Sequence, residues 1–265
     1  MTPRVVATDL DGTIVRSDGS ISPRTRRALE AAEAAGAMVV IVTGRPPRWL
    51  RGIAEATGHH GLAICANGAI VWDLHTEQVV SSYPIDADTV RDIAKTLRAE
   101  LPDLGFAIES VDADFGHEPA YRPRLITDEQ TIVAELEALL SNPVAKLLAR
   151  HDGLTADELL ARARRVVGDE LASLTHSSRD GLLEISAAGV TKASTLTAVC
   201  AERGYRAEEV VAFGDMPNDL PMLAWAGLSV AVGNAHLEVL AAVDEVTARN
   251  DDDGVAQVLE RWFTS

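Results

Sequence analysis

Short apolar runs that end in acidic or hydroxyl-bearing turns constrain the fold of this chain more than any other feature. Residues 4–8 form the first run, and residues 9–13, which read Asp-Leu-Asp-Gly-Thr, follow it directly. Runs of this kind are typical of strands in a parallel sheet that is buried on both faces. Because Asp9 and Asp11 are two residues apart on an extended chain, their carboxylates point into one crevice at the carboxyl edge of the sheet.

The pair of Asp9 and Asp11 limits the chemistry of this crevice. Neighbouring carboxylates repel each other unless a cation or a shared proton relieves them. The pair therefore indicates a divalent metal site, a proton-sharing pair, or both. Taken alone, the five residues also fit a strand end with solvated acids and a glycine turn, because a short motif needs its structural context.

A second apolar run, residues 37–42, ends in Thr-Gly-Arg-Pro-Pro. The hydroxyl of Thr43, backed by Gly44, can donate to a phosphate oxygen, and Arg45 can add positive charge. The alternative is an ordinary turn in which Thr43 caps the next helix.

A third run, residues 210–213, ends in Gly-Asp-Met-Pro-Asn-Asp at residues 214–219. Two more acids and an amide therefore lie at a strand end. Hard cations such as Mg²⁺ prefer oxygen ligands and keep part of their water shell. Asp9, Asp215 and the backbone carbonyl of Asp11 would suit such an ion.

Residues 189–192 read Gly-Val-Thr-Lys and lead into a predicted helix. A lysine at the start of a helix opposes the macrodipole, since helix N-termini favour anions. An anion bound there would resolve the conflict. The alternative is that Lys192 faces solvent.

Asn67 and Gly68 lie between two apolar runs, and this pair predicts a β-hairpin. A tight turn is a sufficient structural reason for the two residues.

In chain order, these motifs resemble the four motifs of the haloacid dehalogenase (HAD) superfamily, most of whose members are magnesium-dependent phosphohydrolases. The middle of the chain resembles, in length and element order, the α+β (C2B-type) cap of the Cof-type branch. The resemblance implies an α/β fold with a doubly wound, mainly parallel, Rossmann-like core and an inserted α+β cap domain. The core would comprise residues 1–83 and 188–265, and the cap residues 84–187.

Within the predicted cap, the residue pattern indicates paired strands with intervening helices rather than a continuation of the core sheet. Helices are predicted at residues 87–100 and at about 129–140. Residues 112–124 are predicted to be irregular.

The resemblance also implies roles for individual residues. Asp9 would be the nucleophile that attacks phosphorus, and Asp11 the general acid and base. The residues implied to bind phosphate are Thr43, Gly44 and Lys192. The residues implied to hold Mg²⁺ are Asp9, Asp11 and Asp215. Those implied to support the site from its edge, by binding water or the lysine, are Asn218 and Asp219.

A further group of residues is suggested to contact the substrate, some in the core and some in the cap. These residues are Arg45, Asn67, Gly68, His117, Arg122, Arg124 and Arg179. For each arginine of the cap, the alternative is a solvated or paired surface residue, which is the usual state of arginine in an acidic chain.

The function implied is Mg²⁺-dependent hydrolysis of a phosphate monoester of a small metabolite, with a sugar phosphate favoured as the substrate. Asp11 favours phosphatases and phosphomutases over dehalogenases, which lack this second acid. A phosphomannomutase-like phosphotransferase and a non-catalytic regulator that binds a sugar phosphate are the two alternatives. The motifs do not specify the substrate or the oligomeric state.

Composition bears on the partners and the compartment. A net charge of −16 and an aromatic content of 4% argue against nucleic acid or an anionic membrane as a partner. The sequence contains no apolar run long enough to span a bilayer and no signal-peptide pattern. Cys65 and Cys200 lie in apolar surroundings and are expected to be reduced thiols of a cytoplasmic protein.

Overall fold

A computed structural model describes residues 2–50, 52–59, 61–112, 114–123, 131–178 and 180–263. The chain divides into two compact units. The first unit comprises Met1–Ser81 and Thr191–Ser265, and the second unit comprises Ser82–Val190.

The strands and helices of the described residues follow in chain order. The N-terminal part contains β1 (Val5–Thr8), α1 (Pro23–Ala34), β2 (Met38–Val42), α2 (Ile53–Thr57), β3 (Leu62–Cys65), β4 (Ile70–Asp73) and β5 (Gln78–Ser82). The middle part contains α3 (Ala87–Glu100), β6 (Gly105–Ser110), β7 (Phe115–His117), β8 (Ile132–Val133), α4 (Leu136–Leu139), β9 (Val144–Arg150), α5 (Ala156–Ala163), β10 (Ala172–Thr175) and β11 (Leu182–Ala187). The C-terminal part contains α6 (Lys192–Glu202), β12 (Val210–Gly214), α7 (Leu220–Trp225), β13 (Leu228–Ala231), α8 (Leu237–Leu240), β14 (Glu245–Val246) and α9 (Gly254–Phe263). Among the helices described, none combines the length and the apolar character needed to cross a bilayer.

In the described part of the first unit, eight strands form one sheet in the order β14-β13-β12-β1-β2-β3-β4-β5. Neighbouring strands from β14 to β3 run parallel, and β4 runs antiparallel to β3. From β1 the sheet extends through β2 and β3 on one side, and from β12 through β13 and β14 on the other. This is the predicted doubly wound arrangement, and its switch point lies between β1 and β12.

Local sequence signals explain several element boundaries in this unit. All four residues of β1 are buried, as expected of a central strand that is covered on both faces. The Ser22 side chain caps α1 by accepting a hydrogen bond from the backbone N–H of Thr25. Pro23 takes the first helical position, where its missing N–H costs nothing.

Strands β3 and β4 form the hairpin predicted from Asn67 and Gly68. The connection is wider than a two-residue turn, because Cys65 pairs with Ile70 across the ladder. Within it, Ala66 and Asn67 both adopt the left-handed backbone conformation, with φ of 51° and 58°.

In the described part of the second unit, six strands form a sheet in the order β10-β11-β9-β6-β7-β8. The paired strands are antiparallel except β7 and β8, which are parallel. One face of this sheet packs with α3, α4 and α5 around an apolar core that includes Phe106 and Leu147. The other face carries a buried ion pair between Lys146 and Glu184, with 2.7 Å between Nζ and Oε1. The unit is therefore α+β, as predicted.

Two predictions for the second unit are wrong. Within residues 112–124, expected to be irregular, Phe115–His117 form β7. The helix expected at residues 129–140 is absent from the described residues 131–140 except for the four-residue α4, and Ile132–Val133 form β8 instead. Two adjacent β-branched side chains favour a strand over a helix, and these two residues pair in parallel with Gly116 and His117 of β7.

Candidate active site

The switch point of the first sheet brings together the motifs at residues 9–13 and 214–219. Asp9 follows β1 directly, Asp215 follows β12, and the two strands are neighbours. The backbone N–H of Asp9 donates to the carbonyl oxygen of Phe213 at 3.0 Å. This bond extends the hydrogen-bond ladder between β1 and β12 by one residue. Open α/β sheets bind ligands at such a point, because loops from the two halves diverge there and leave a crevice.

Three buried carboxylates meet at this point. One oxygen each of Asp9, Asp215 and Asp219 lies within 4.8 Å of the other two. The residues are 5%, 7% and 0% exposed, respectively. Nζ of Lys192 donates to Oδ1 of Asp9 and to Oδ1 of Asp219, at 2.6 Å in both cases. These four side chains are called the acid cluster below.

The electrostatics of the acid cluster follow from burial and an excess of negative charge. Burial raises the pKa of Asp9 to about 7, although the ammonium of Lys192 opposes this shift. Burial, and then the charges of Asp9 and Asp219, raise the pKa of Asp215 to about 9. Burial alone would lower the pKa of Lys192, but the charges of Asp219 and Asp9 outweigh it and raise that pKa.

The acid cluster fits a bound divalent cation. Three carboxylates face one ammonium, so a further positive charge would relieve their repulsion. Carboxylate oxygens are also the ligands that Mg²⁺ prefers. The side chains able to hold the ion are those of Asp9 and Asp215, because both oxygens of Asp219 already accept hydrogen bonds.

Asp219 organises the loop that follows β12. Its Oδ2 accepts hydrogen bonds from the backbone N–H groups of Asp215 and Met216, at 3.0 and 3.1 Å. A Cβ at Gly214 would lie 2.6 Å from the Cβ of Asp219, so the close approach requires glycine there. With Oδ1 on Lys192, Asp219 links the loop to the lysine, in line with the supporting role predicted for it.

Gly12 allows the loop after β1 to approach Asp215. Its φ is +78°, and a Cβ at this position would lie 2.4 Å from Oδ2 of Asp215. The hydroxyl of Thr13 donates to Oδ1 of the same carboxylate at 3.3 Å. Residues 12 and 13 of the loop after β1 therefore pack directly against Asp215. Thr13 was not among the predicted site residues.

Residues 234–236, which follow β13, hold the two loops together. Nδ2 of Asn234 donates to the carbonyl oxygen of Gly12 at 2.8 Å. The backbone N–H of His236 donates to the carbonyl oxygen of Asp215 at 2.7 Å. The position of Gly-Asn-Ala directly after a buried run indicates a structural loop near the site, but sequence reasoning did not specify these contacts.

Asp11 lies outside the acid cluster. Arg45 Nε and Nη2 donate to Oδ2 and Oδ1 of Asp11 at 2.8 and 2.6 Å, which makes a bidentate ion pair. The Asp11 side chain is 57% exposed. Arg45, suggested as a substrate contact, therefore holds the predicted general acid, and the predicted metal contact through the Asp11 carbonyl stays a prediction.

Thr43 is buried at the end of β2. Its backbone N–H donates to the carbonyl oxygen of Ile64 at 2.7 Å, and its hydroxyl oxygen accepts from the N–H of Arg45 at 3.0 Å. The hydroxyl shapes the turn in this way and keeps its own proton for another acceptor. The predicted phosphate contact of Thr43 and Gly44 stays a prediction, and the hydrogen bond observed for the hydroxyl is to Arg45, ahead of the helical turn at Pro47–Leu50.

The β3–β4 hairpin packs against the start of α6. The hydroxyl of Thr195 donates to the carbonyl oxygen of Gly68 at 2.7 Å. A Cβ at Gly68 would lie 2.3 Å from the carbonyl oxygen of Thr191. The backbone N–H of Asn67 donates to the carbonyl oxygen of Thr43 at 3.1 Å. The hairpin therefore connects the turn that begins at Thr43 to α6, the helix that begins with Lys192.

The substrate residues suggested in the cap belong to the second unit. Arg122 has an 80% exposed side chain and pairs with Asp152 at 3.1 Å, as the surface alternative predicts. His117 is buried, and its ring lies 5.7 Å from that of Tyr121. Arg124 and Arg179 lie outside the described residues.

The haloacid dehalogenase-like hydrolase family model matches residues 6–259. The chain belongs to this family.

Two relatives are similar over nearly their whole length. The chain is 29% identical over 277 residues to 5-amino-6-(5-phospho-D-ribitylamino)uracil phosphatase YcsE of Bacillus subtilis, covering 98% of this chain and 95% of that protein. It is 31% identical over 275 residues to pyridoxal phosphate phosphatase YbhA of Escherichia coli, covering 98% of each. The predictions that the chain belongs to the HAD superfamily and is a phosphatase are confirmed.

Two solved structures share the fold. TM0651 of Thermotoga maritima superposes with a TM-score of 0.77 at 29% identity, covering 100% of this chain and 99% of that one. The HAD subclass IIB sugar phosphatase BT4131 superposes with a TM-score of 0.81 at 23% identity, covering 98% of each. These likenesses confirm the predicted fold class, a Rossmann-like core with an inserted α+β cap.

The raised pKa values predict how the stability of this HAD phosphatase depends on pH and Mg²⁺. The pKa values of Asp9 and Asp215 lie above their ordinary value of 3.8, so the folded chain binds protons more tightly than the unfolded chain. The stability gained in this way is complete below about pH 4 and is lost as the pH rises through about 7 and about 9. We therefore expect the melting temperature in EDTA to fall between about pH 6 and about pH 9, and Mg²⁺ to restore it most at the higher pH.

Thermal melts at several pH values, with EDTA or Mg²⁺, measure this dependence. Asp215→Asn is the matched variant, because it removes one charge and keeps the size of the side chain. It should flatten the pH dependence in EDTA and reduce the stabilisation by Mg²⁺. An equal Mg²⁺ effect at both ends of the pH range in the unaltered protein would contradict the proposed role of these carboxyls.

Gly12→Ala is expected to weaken Mg²⁺ binding by roughly 10- to 100-fold, because the new methyl group displaces Asp215. Gly19→Ala is the control, since Gly19 has a similar φ of +82° but nothing within 4 Å of the added Cβ. Both variants should lose about 1 kcal/mol of stability from the backbone conformation. Titration calorimetry with Mg²⁺ separates them, and equal affinities in the two variants would show that the contact with Asp215 does not matter.

Proposed function

We propose that this chain is a Mg²⁺-dependent phosphatase that cleaves a phosphate monoester of a small metabolite through an aspartyl-phosphate on Asp9. The observation that carries the proposal is the buried acid cluster at the switch point. Lys192 holds Oδ1 of Asp9 at 2.6 Å. Within the described part of the chain, no hydrogen bond reaches Oδ2 of Asp9. That oxygen is therefore available to attack phosphorus.

In the first step, Oδ2 of Asp9 forms a bond to phosphorus and the bond from phosphorus to the leaving alcohol breaks. Asp11, which is protonated at the start of this step, gives that proton to the departing alkoxide. In the second step, Asp11 takes a proton from the attacking water, and the bond between phosphorus and Asp9 breaks. Inorganic phosphate leaves, and both side chains return to their starting state.

The main obstacle is repulsion between the Asp9 carboxylate and an anionic phosphate. Lys192 opposes this repulsion at Oδ1 of Asp9, and the Thr43 hydroxyl donates to a phosphoryl oxygen. The bound Mg²⁺, held by Asp9, Asp215 and the carbonyl of Asp11, would neutralise charge on the transferred phosphoryl group. Arg45 would orient Asp11 for proton transfer.

We also propose that residues 1–83 and 188–265 form the catalytic core and that residues 84–187 form a cap that reads the leaving group. YcsE and YbhA, the two relatives above, are phosphatases of a phosphorylated ribitylaminouracil and of pyridoxal phosphate. Their names support a small phosphorylated metabolite as the substrate class. Sugar phosphates remain the substrates that we expect to be cleaved best.

Release of inorganic phosphate from sugar phosphates, pyridoxal phosphate and flavin mononucleotide, with Mg²⁺ or EDTA, tests the proposal. We expect Mg²⁺-dependent release that Asp9→Asn lowers by roughly ten-thousand-fold or more, because the nucleophile is lost. Asp11→Asn should lower it by roughly 100- to 10,000-fold, because the nucleophile stays and proton transfer is lost.

Two outcomes would favour the alternatives. Conversion of a sugar phosphate into an isomer without release of phosphate would indicate a phosphotransferase. Binding of a sugar phosphate without turnover, unchanged by Asp9→Asn, would indicate a non-catalytic regulator.

A further inference from the structure

The turn at residues 10–15, called the Asp11 turn below, carries the proposed general acid. The N–H groups of its last three residues all donate to the carbonyl oxygen of Leu10, at 3.2, 3.1 and 2.8 Å. These bonds fix the turn at its first residue. The carbonyl oxygens of Gly12 and Val15, further along the turn, accept hydrogen bonds from side chains more than 200 residues away in the chain.

Two asparagines of the C-terminal part supply these donors. Nδ2 of Asn234 donates to the carbonyl oxygen of Gly12 at 2.8 Å, and Nδ2 of Asn250 donates to the carbonyl oxygen of Val15 at 2.9 Å. Asn250 is 6% exposed, and Val15 is also buried. A buried carbonyl that loses its donor is costly, so the contact with Val15 strongly favours one position of the turn.

The two asparagines are connected to each other. The backbone N–H of Asn250 donates to Oδ1 of Asn234 at 2.9 Å. A backbone N–H can only donate and a carbonyl oxygen can only accept, so these partners assign both ends of the Asn234 amide. The position of residue 250 therefore determines both contacts with the Asp11 turn, one directly and one through Asn234.

The segment around Asn250 also binds the residues that follow the Asp11 turn. Nη2 of Arg16 donates to Oδ1 of Asp253 at 2.6 Å. The N–H and the hydroxyl of Ser17 donate to the carboxylate of Asp251, at 2.8 and 2.7 Å. Asp253 adopts φ of 60°, a left-handed conformation that is uncommon outside glycine and persists where neighbours impose it. A simple connection between β14 and α9 does not need these contacts.

We propose that Asn234 and Asn250 are positioning residues, which fix the backbone of the Asp11 turn and thereby the place from which Asp11 transfers protons. The inference rests on the proposed phosphatase function. The Asp11 side chain is 57% exposed, so burial does not hold it in place. Arg45 binds its carboxylate, and the two asparagines hold the backbone from which that carboxylate extends. Proton transfer requires hydrogen-bond reach, and a displacement of about 1 Å typically costs about 100-fold in rate.

Asn250→Ala removes the contact with Val15 and keeps the backbone N–H that orients Asn234. For the ester that the unaltered protein cleaves best, we expect kcat to fall roughly 10- to 100-fold with KM within about two-fold, because Thr43 and Lys192 are untouched. Asn234→Ala should give a loss of the same kind. Amide hydrogen exchange at residues 13–15 should become roughly 10-fold faster than that of β2, which reports unfolding of the sheet.

Thr247→Val is the matched control. The hydroxyl of Thr247 donates to the carbonyl oxygen of Gly254 at 2.9 Å, a hydrogen bond that stays within the segment before α9. Valine keeps the size of the side chain and removes this bond. The melting temperature should fall about as much as in Asn250→Ala, whereas kcat and the exchange at residues 13–15 relative to β2 should stay unchanged.

A loss of kcat together with faster exchange at residues 13–15 in Asn250→Ala, and neither in Thr247→Val, supports the proposal. Equal kcat values in the two variants, or unchanged exchange at residues 13–15 in Asn250→Ala, overturn it. Should Asn250→Ala not fold, Asn234→Ala decides in the same way, because Asn234 is only half-buried. Failure of the phosphatase proposal would look different, since the unaltered protein would then cleave no ester, whereas failure of the positioning proposal leaves that cleavage intact.

Discussion

The ammonium of Lys192, buried between the carboxylates of Asp9 and Asp219, is the interaction on which the rest of the first unit depends. A buried charge is tolerated only when it is paired and hydrogen-bonded, and removing one partner of such a pair typically costs about 3–5 kcal/mol. Here one ammonium at the start of α6 joins the loops after β1 and β12, at 2.6 Å from each carboxylate. The stability of the first unit and the geometry of the proposed catalytic site therefore rest on the same contacts.

The described part of this site is incomplete in two complementary ways. The carboxylates of Asp9, Asp215 and Asp219 outnumber the single ammonium, which favours a further cation. The amides of Asn67 and Asn218 leave one donor and one acceptor unused. A bound divalent cation would balance the charge of the carboxylates. Arg45, by contrast, already has its partner in Asp11, so the protein holds the proposed general acid before any ligand arrives.

Sequence reasoning was most successful where a motif directly follows a buried strand. The order of parallel strands brings such motifs to one edge, so the meeting of Asp9 and Asp215 could be predicted without coordinates. It was least successful where contacts span distant segments. Nothing local in Asn234 indicates that it would bind the carbonyl oxygen of Gly12, 222 residues away. The mistaken helix at residues 129–140 is a different failure, because periodicity outweighed the strand preference of two β-branched residues.

The sequence by itself determined the buried strands β1, β2 and β12, the N-cap of α1 and the residue types at each strand end, because these depend on residues within a few positions of one another. The tertiary structure alone decided how the motifs share their charges. The side chain of Asp11 pairs with Arg45 and not with the acid cluster. The two carboxylate oxygens of Asp219 accept hydrogen bonds from Lys192 and from the backbone of its own loop. The physical reason is that burial and pairing set the energy of a charge, and both depend on which distant segments pack against it.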